Sequence, residues 1–185
     1  MPRRSQFTFL KLLATSLAVV PWVIGCGLMH PGKKIMQIAG HPPVLVLQGS
    51  IASNANANSP ISLDIVILRD KDLNKEISKM DAATWFGAKG RCNYRGGPKA
   101  KVQFHSWEFV PGQMFRVDVP VSIDAKAVVG FANYTVPGEH RVFLATSGSQ
   151  SLQMNEDGVH LLKNAPVANP DLSPAPEKLG VCPDD

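Results

Sequence analysis

The chain lacks the groupings that chemistry usually requires. Its five histidines, His30, His41, His105, His140 and His160, are scattered, and none stands at metal-ligand spacing to another histidine, cysteine or carboxylate. No G-x-S-x-G elbow occurs. The glycines at 87, 90, 96 and 97 lack the Gly-Lys-Ser/Thr ending of a phosphate loop. Asp70, Asp72 and Glu76 surround a predicted helix start, where negative charge offsets the helix dipole without any acid–base role. These absences point away from an enzyme and give no metal and no cofactor. No apolar run after the first 25 residues approaches the roughly 20 needed to span a bilayer, so the body of the chain reads as water-soluble.

Cysteine is scarce as well, with Cys26, Cys92 and Cys182 only. The first of them closes the most informative stretch. Arg3, Arg4 and Lys11 form a positive leader, Leu12 to Ile24 is apolar except for Thr15, Ser16 and Pro21, and Val23-Ile24-Gly25-Cys26 ends it. A basic start, a short apolar run and a small residue mark a secretory signal. The ending on Cys26 resembles the lipobox of bacterial lipoprotein precursors. That resemblance implies cleavage of residues 1–25 and a covalent lipid on Cys26. The competing reading is an ordinary signal with a nearby cysteine, although Val23 is bulky for ordinary cleavage. In lipoproteins, Asp after the cysteine marks retention at the inner membrane. Gly27 stands there, which implies the outer membrane, on its periplasmic face.

Removing residues 1–25 takes the 19 basic side chains to 16 against 15 acidic ones. The surface is then nearly balanced, and the pI near 9.1 is no argument for nucleic acid. Export favours a disulfide between Cys92 and Cys182, with two free thiols as the alternative.

Residues 26–43 read as a tether, because Pro31, Gly32, Lys33, Lys34, Pro42 and Pro43 break all periodicity. Residues 44–163 read as one folded domain. Val44 to Leu47 is apolar on both faces, Ser53 to Pro60 is a small polar loop, and Ile61, Leu63, Ile65 and Ile67 alternate along a second strand. Asp70 and Asp81 are placed to cap two short helices, the first carrying the stripe Leu73, Ile77, Met80. From residue 101 onward short strands alternate with turns at Pro111-Gly112, Pro137-Gly138, Ser147-Gly148-Ser149 and Asn155 to Gly158. About eight strands with one helical insertion predict an all-β, two-sheet β-sandwich. Trp85, Phe86, Phe104, Trp107, Phe109 and Phe131 are read as its core, with a ligand groove as the alternative. Residues 164–185 form a proline-rich tail.

The order of these pieces, with PISLDIVILRD at 60–70, WEFVPGQMFRVDVP at 107–120 and AVVGFANY at 127–134, resembles the type VI secretion outer-membrane lipoproteins of the TssJ (VasD/SciN) family. Pro111-Gly112-Gln113 and Val128 to Tyr134 carry the resemblance most specifically. It covers most of residues 26–163 and does not extend to the connection at 87–100 or to the tail. The resemblance implies a transthyretin-like sandwich that anchors the trans-envelope complex to the outer membrane. The implied partner is the periplasmic C-terminal region of the inner-membrane component TssM. The implied docking element is the loop between the first two strands, here with Asn54, Asn56 and Asn58 as polar contacts. For each asparagine a solvated turn is the competing reading. The alternative for the whole chain is a stand-alone lipoprotein module that binds a small ligand or glycan.

Overall fold

The computed structural model describes residues 42–88, 90–94 and 102–163. The expected signal segment, Cys26, nearly all of the tether, Cys182 and the tail lie outside the described residues.

Among the described residues, eight strands form two four-stranded sheets: β1 (Val44–Ile51), β2 (Ile61–Leu68), β3 (Val102–Phe109), β4 (Met114–Pro120), β5 (Ala127–Ala132), β6 (Arg141–Leu144), β7 (Gly148–Met154) and β8 (Val159–Leu162). The first sheet runs β4-β1-β7-β8 and the second β3-β2-β5-β6. All neighbours are antiparallel except β1 and β7. The chain is thus a two-sheet sandwich, as its alternation predicts. The turn expected at Ser147 to Ser149 is the point of difference. Gly148 and Ser149 extend β7 instead, because the free edge of β1 opposes them, pairing Leu45 with Gly148 and Val46 with Ser149. A parallel partner has no local turn signal to announce it.

Leu63, Ile65 and Ile67 of β2 face Leu45, Leu47, Phe115, Val117 and Leu152 of the other sheet in the main core. Gly49 is needed there: a Cβ on it would fall 2.2 Å from the Leu152 carbonyl O and 2.8 Å from the Phe115 ring. The outer face of the second sheet is buried over β2 and β5 as well. Two short helices, α1 (Lys71–Ile77) and α2 (Ala82–Phe86), and a 3-10 turn at Arg91–Tyr94 cover it. They enclose a second core of Val66, Leu68, Ile77, Trp85, Val129 and Phe131. Asp70 caps α1 by accepting the amides of Asp72 and Leu73, and Asp81 caps α2 by accepting that of Thr84 at 2.7 Å.

Registers place the connections. Ile51 pairs with Met154, Ser50 with Met114, Ile61 with Phe109 and Leu63 with Ala132. The loops at 52–60, 110–113, 133–140 and 155–158 therefore gather at one end. Pro43, bonded through its carbonyl to Val121 N at 2.8 Å, lies at the opposite end with the close of β8.

Candidate functional site

The β1–β2 loop turns through three successive left-handed residues, Asn56, Ala57 and Asn58, with φ of 49°, 51° and 62°. Asparagine tolerates this region better than other residues with a Cβ, whereas alanine has no such local compensation. The conformation is held from inside. Asn56 is only 2% exposed. Its Nδ2 donates to the Pro60 carbonyl at 3.0 Å, and its Oδ1 accepts the Thr135 amide at 2.7 Å and the Thr135 hydroxyl at 2.9 Å. Asn54 is exposed and donates to Glu156 Oε2 at 3.1 Å. Ala57 and Asn58 point outward.

The three asparagines thus part company. Asn54 and Asn58 lie on the surface, while burial takes Asn56 out of any direct contact and makes it an internal strut. Alternation along Asn54-Ala55-Asn56-Ala57-Asn58 does not reveal this, because the left-handed run breaks the regular alternation of sides.

Neighbouring loops complete the end. Tyr134 donates its hydroxyl to the Asn155 carbonyl at 3.0 Å and stacks on His140, with ring centroids 4.6 Å apart. Burial, with a smaller contribution from the charge of Asp157, pushes the Tyr134 hydroxyl well above the usual tyrosine range. His140 donates from Nε2 to the Val136 carbonyl at 2.8 Å. Asp157 lies below the usual carboxylate range, chiefly because His160 donates to it at 3.2 Å. Between these loops runs an open groove of about 660 Å3 lined by Ala52, Asn54, Val136, Pro137, Asn155, Glu156 and Asp157. Sequence reasoning missed Tyr134, Thr135 and Glu156, whose hydrogen-bond partners lie 21, 79 and 102 residues away, and His140, whose partners Val136 and Tyr134 are local but form no recognisable motif. Among the described residues no group of three His, Cys, Asp or Glu is placed to hold a metal.

The aromatic set does not line this groove. Trp107 and Phe109 sit in the main core; Trp85 and Phe131 sit in the second, with Phe86 and Phe104 packed against it. Trp85 stacks on Phe131 at 5.2 Å and meets Phe104 edge-on at 5.7 Å. Its Nε1 donates to Asp64 Oδ2 at 2.8 Å. Asp64 is fully buried, receives Ser106 Oγ at 2.6 Å and lies 3.4 Å from Arg91. A carboxylate with three donors in so enclosed a place fastens the helical insertion to β2 and β3. Cys92, in the 3-10 turn beside Arg91, is disulfide-bonded.

No family model and no curated protein matches the chain. Solved structures do. The Lip protein of Serratia marcescens, described as a membrane-bound component of the type VI secretion system, aligns at TM-score 0.52 and 16% identity, over 67% of this chain and 99% of that one. The chain has the fold of type VI secretion lipoproteins. A chain of a type VI membrane complex aligns at 0.51 and 17%, over 66% of this chain and 100% of that one. One in a structure described as the TssM C-terminal domain from EAEC aligns at 0.50 and 18%, over 65% and 98%. The shared region accommodates the sandwich, so the all-β class and the type VI lipoprotein resemblance read from the sequence agree with the fold found.

Proposed function

We propose that this chain is a lipid-anchored, non-catalytic component of a type VI secretion envelope complex. A covalent lipid on Cys26 holds it in the outer membrane on the periplasmic side, and its loop end binds the C-terminal periplasmic region of a TssM-like protein. Two neighbours motivate the partner: one belongs to a type VI membrane complex, and one comes from a structure described by TssM.

The observation that carries the reading is the opposition of the two ends. The chain leading from Cys26 enters at Pro43, while the groove and the exposed Asn54, Ala57 and Asn58 lie at the far end. A protein bridging a membrane and a partner needs its two attachments apart. The tether adds reach, since 17 residues extend up to about 56–61 Å. Each buried acyl methylene contributes about 0.8 kcal/mol to holding the anchor. The strained, internally clamped loop favours binding by presenting its exposed residues in one conformation.

The test pairs two variants in the secreting cell. Cys26→Ser is expected to fold, leave the membrane fraction and stop secretion. Asn54→Ala/Asn58→Ala is expected to stay in the membrane and lose capture of the TssM-like region. Undiminished secretion by a released Cys26→Ser protein would sink the anchoring role, and undiminished capture by the double variant would sink the docking role.

A further inference from the structure

Among the described residues, β6 and β8 end their sheets side by side, whereas β4 ends the first sheet with an outer edge that has no backbone partner. Which of its groups point outward follows from the ladder. Val121 N donates to the Pro43 carbonyl at 2.8 Å, and Ile51 N donates to the Gln113 carbonyl at 2.9 Å. These bonds bracket β1 and β4 in one register, so Leu45–Val119, Leu47–Val117 and Gly49–Phe115 are the hydrogen-bonded pairs between them. The residues in between, Met114, Arg116, Asp118 and Pro120, turn their backbone groups to the open side. Of these, Pro120 alone lacks an N–H.

The same four residues carry the solvent side of β4, since Phe115, Val117 and Val119 are buried in the main core. Met114 is 58% exposed. Arg116 reaches Asp118 on its own strand at 3.2 Å, with the two side chains 31% and 42% exposed. Such a surface pair is weak and leaves both charges available.

Charges and proline on an edge strand often repel a second strand. Their order here admits one visitor, a copy of the same strand. Two β4 strands laid antiparallel about a two-fold axis beside Val117 overlap from Met114 to Pro120. Arg116 then faces Asp118 of the second copy, and Asp118 faces its Arg116. Met114 faces Pro120, which covers its exposed side chain. About six backbone hydrogen bonds close the pair. Sliding the register one way sets Arg116 against Arg116, and sliding it the other way sets Asp118 against Asp118. Opposite charges directly across an antiparallel pair stabilise it and like charges destabilise it. The strand therefore fits itself in one register.

We propose that β4 is a self-association edge, through which two copies of this chain join their first sheets in one two-fold pair. The occupant is a second copy of this chain. The axis stands perpendicular to the sheet, so the two loop ends point in opposite directions and both grooves stay open. The pairing needs neither the lipid on Cys26 nor the TssM-like partner.

The test is sedimentation equilibrium of the full mature chain in excess, density-matched detergent, where copies do not share a micelle. The unchanged protein is expected to form a concentration-dependent dimer. Arg116→Asp and Asp118→Arg each set like charges opposite one another across the axis, and each is expected to weaken the dimer about tenfold or more. Mixed one to one, the two variants complement each other and the dimer returns. The double variant Arg116→Asp/Asp118→Arg restores it as well. An unchanged denaturant midpoint checks that each variant is folded. A monomer throughout the concentration series would overturn the proposal. A dimer equally strong in both single variants would overturn it too, by placing self-association on another surface. A dimer lost in the single variants and not recovered in their mixture would refute the facing charge pairs. Monomers whose capture of the TssM-like region falls in Arg116→Asp would give the edge to that partner instead.

Discussion

Asn56 Oδ1 accepts both the amide and the hydroxyl of Thr135, at 2.7 and 2.9 Å, and so ties the β1–β2 loop to the β5–β6 loop across 79 residues of chain. Asn56→Ala removes all three bonds; Thr135 and Pro60 are exposed enough for water to replace the lost partner, so each bond counts at its net worth of about 0.5–1.5 kcal/mol and a loss of about 1.5–4 kcal/mol is expected in denaturant unfolding. Asn58→Ala, at the surface, is expected to stay within about 0.5 kcal/mol.

Ala57 offers the opposite sign. Its φ of 51° is a left-handed conformation for a residue with a Cβ, on an exposed site. Ala57→Gly is expected to raise stability, since the steric penalty of about 1–2 kcal/mol outweighs the entropy glycine adds to the unfolded chain, about 0.4–1 kcal/mol. A lower melting temperature for Ala57→Gly would show that the loop carries no such strain.

Asp64 is the fastening of the helical insertion. Asp64→Ala strands Trp85 Nε1 and Ser106 Oγ in a dry interior and removes the partner of Arg91. A loss of about 3–5 kcal/mol is expected, as for breaking a buried ion pair from one side. Tryptophan fluorescence should report it first, because Trp85 loses its hydrogen bond and the packing of its ring stack loosens.

The chain has two tyrosines, Tyr94 and Tyr134, and both are raised above the usual value of 10.0. Burial is the largest cause for each; for Tyr94 a hydrogen bond to Glu76 adds to it, and the value reaches about 12. The folded protein thus holds phenolic protons that the unfolded chain releases near pH 10. Stability from these groups is complete below pH 10 and is lost as pH rises from there through about 12 for Tyr94. Absorbance titration near 295 nm should show no phenolate step near pH 10 in the folded protein, and two phenolates after unfolding. An ordinary step near pH 10 in the folded protein would refute the burial of these hydroxyls.

Much of the fold was legible because its signals are local. Alternation at Ile61, Leu63, Ile65 and Ile67 places one face of β2 in the main core, and Asp70 and Asp81 cap the two helices as their positions predict. Asp64 marks the limit. Alternation puts it on the second face of β2, but only the helical insertion folding back makes that face an interior. The parallel pairing of β1 with β7 was invisible for the same reason, since the two strands are joined by nearly 100 residues and no turn between them fixes a register.

By itself, then, the sequence determined an all-β domain with a short helical insertion and the position of a polar loop after its first strand. These follow from patterns within a few residues, where composition and backbone preference decide. Only the tertiary structure decided that Asn56 is an internal strut while Asn54 and Asn58 are surface, that Asp64 is buried, and that the loop end lies opposite Pro43, where the chain enters β1. Each of these depends on which distant segments supply hydrogen-bond partners and exclude water, and chain packing alone brings those segments together.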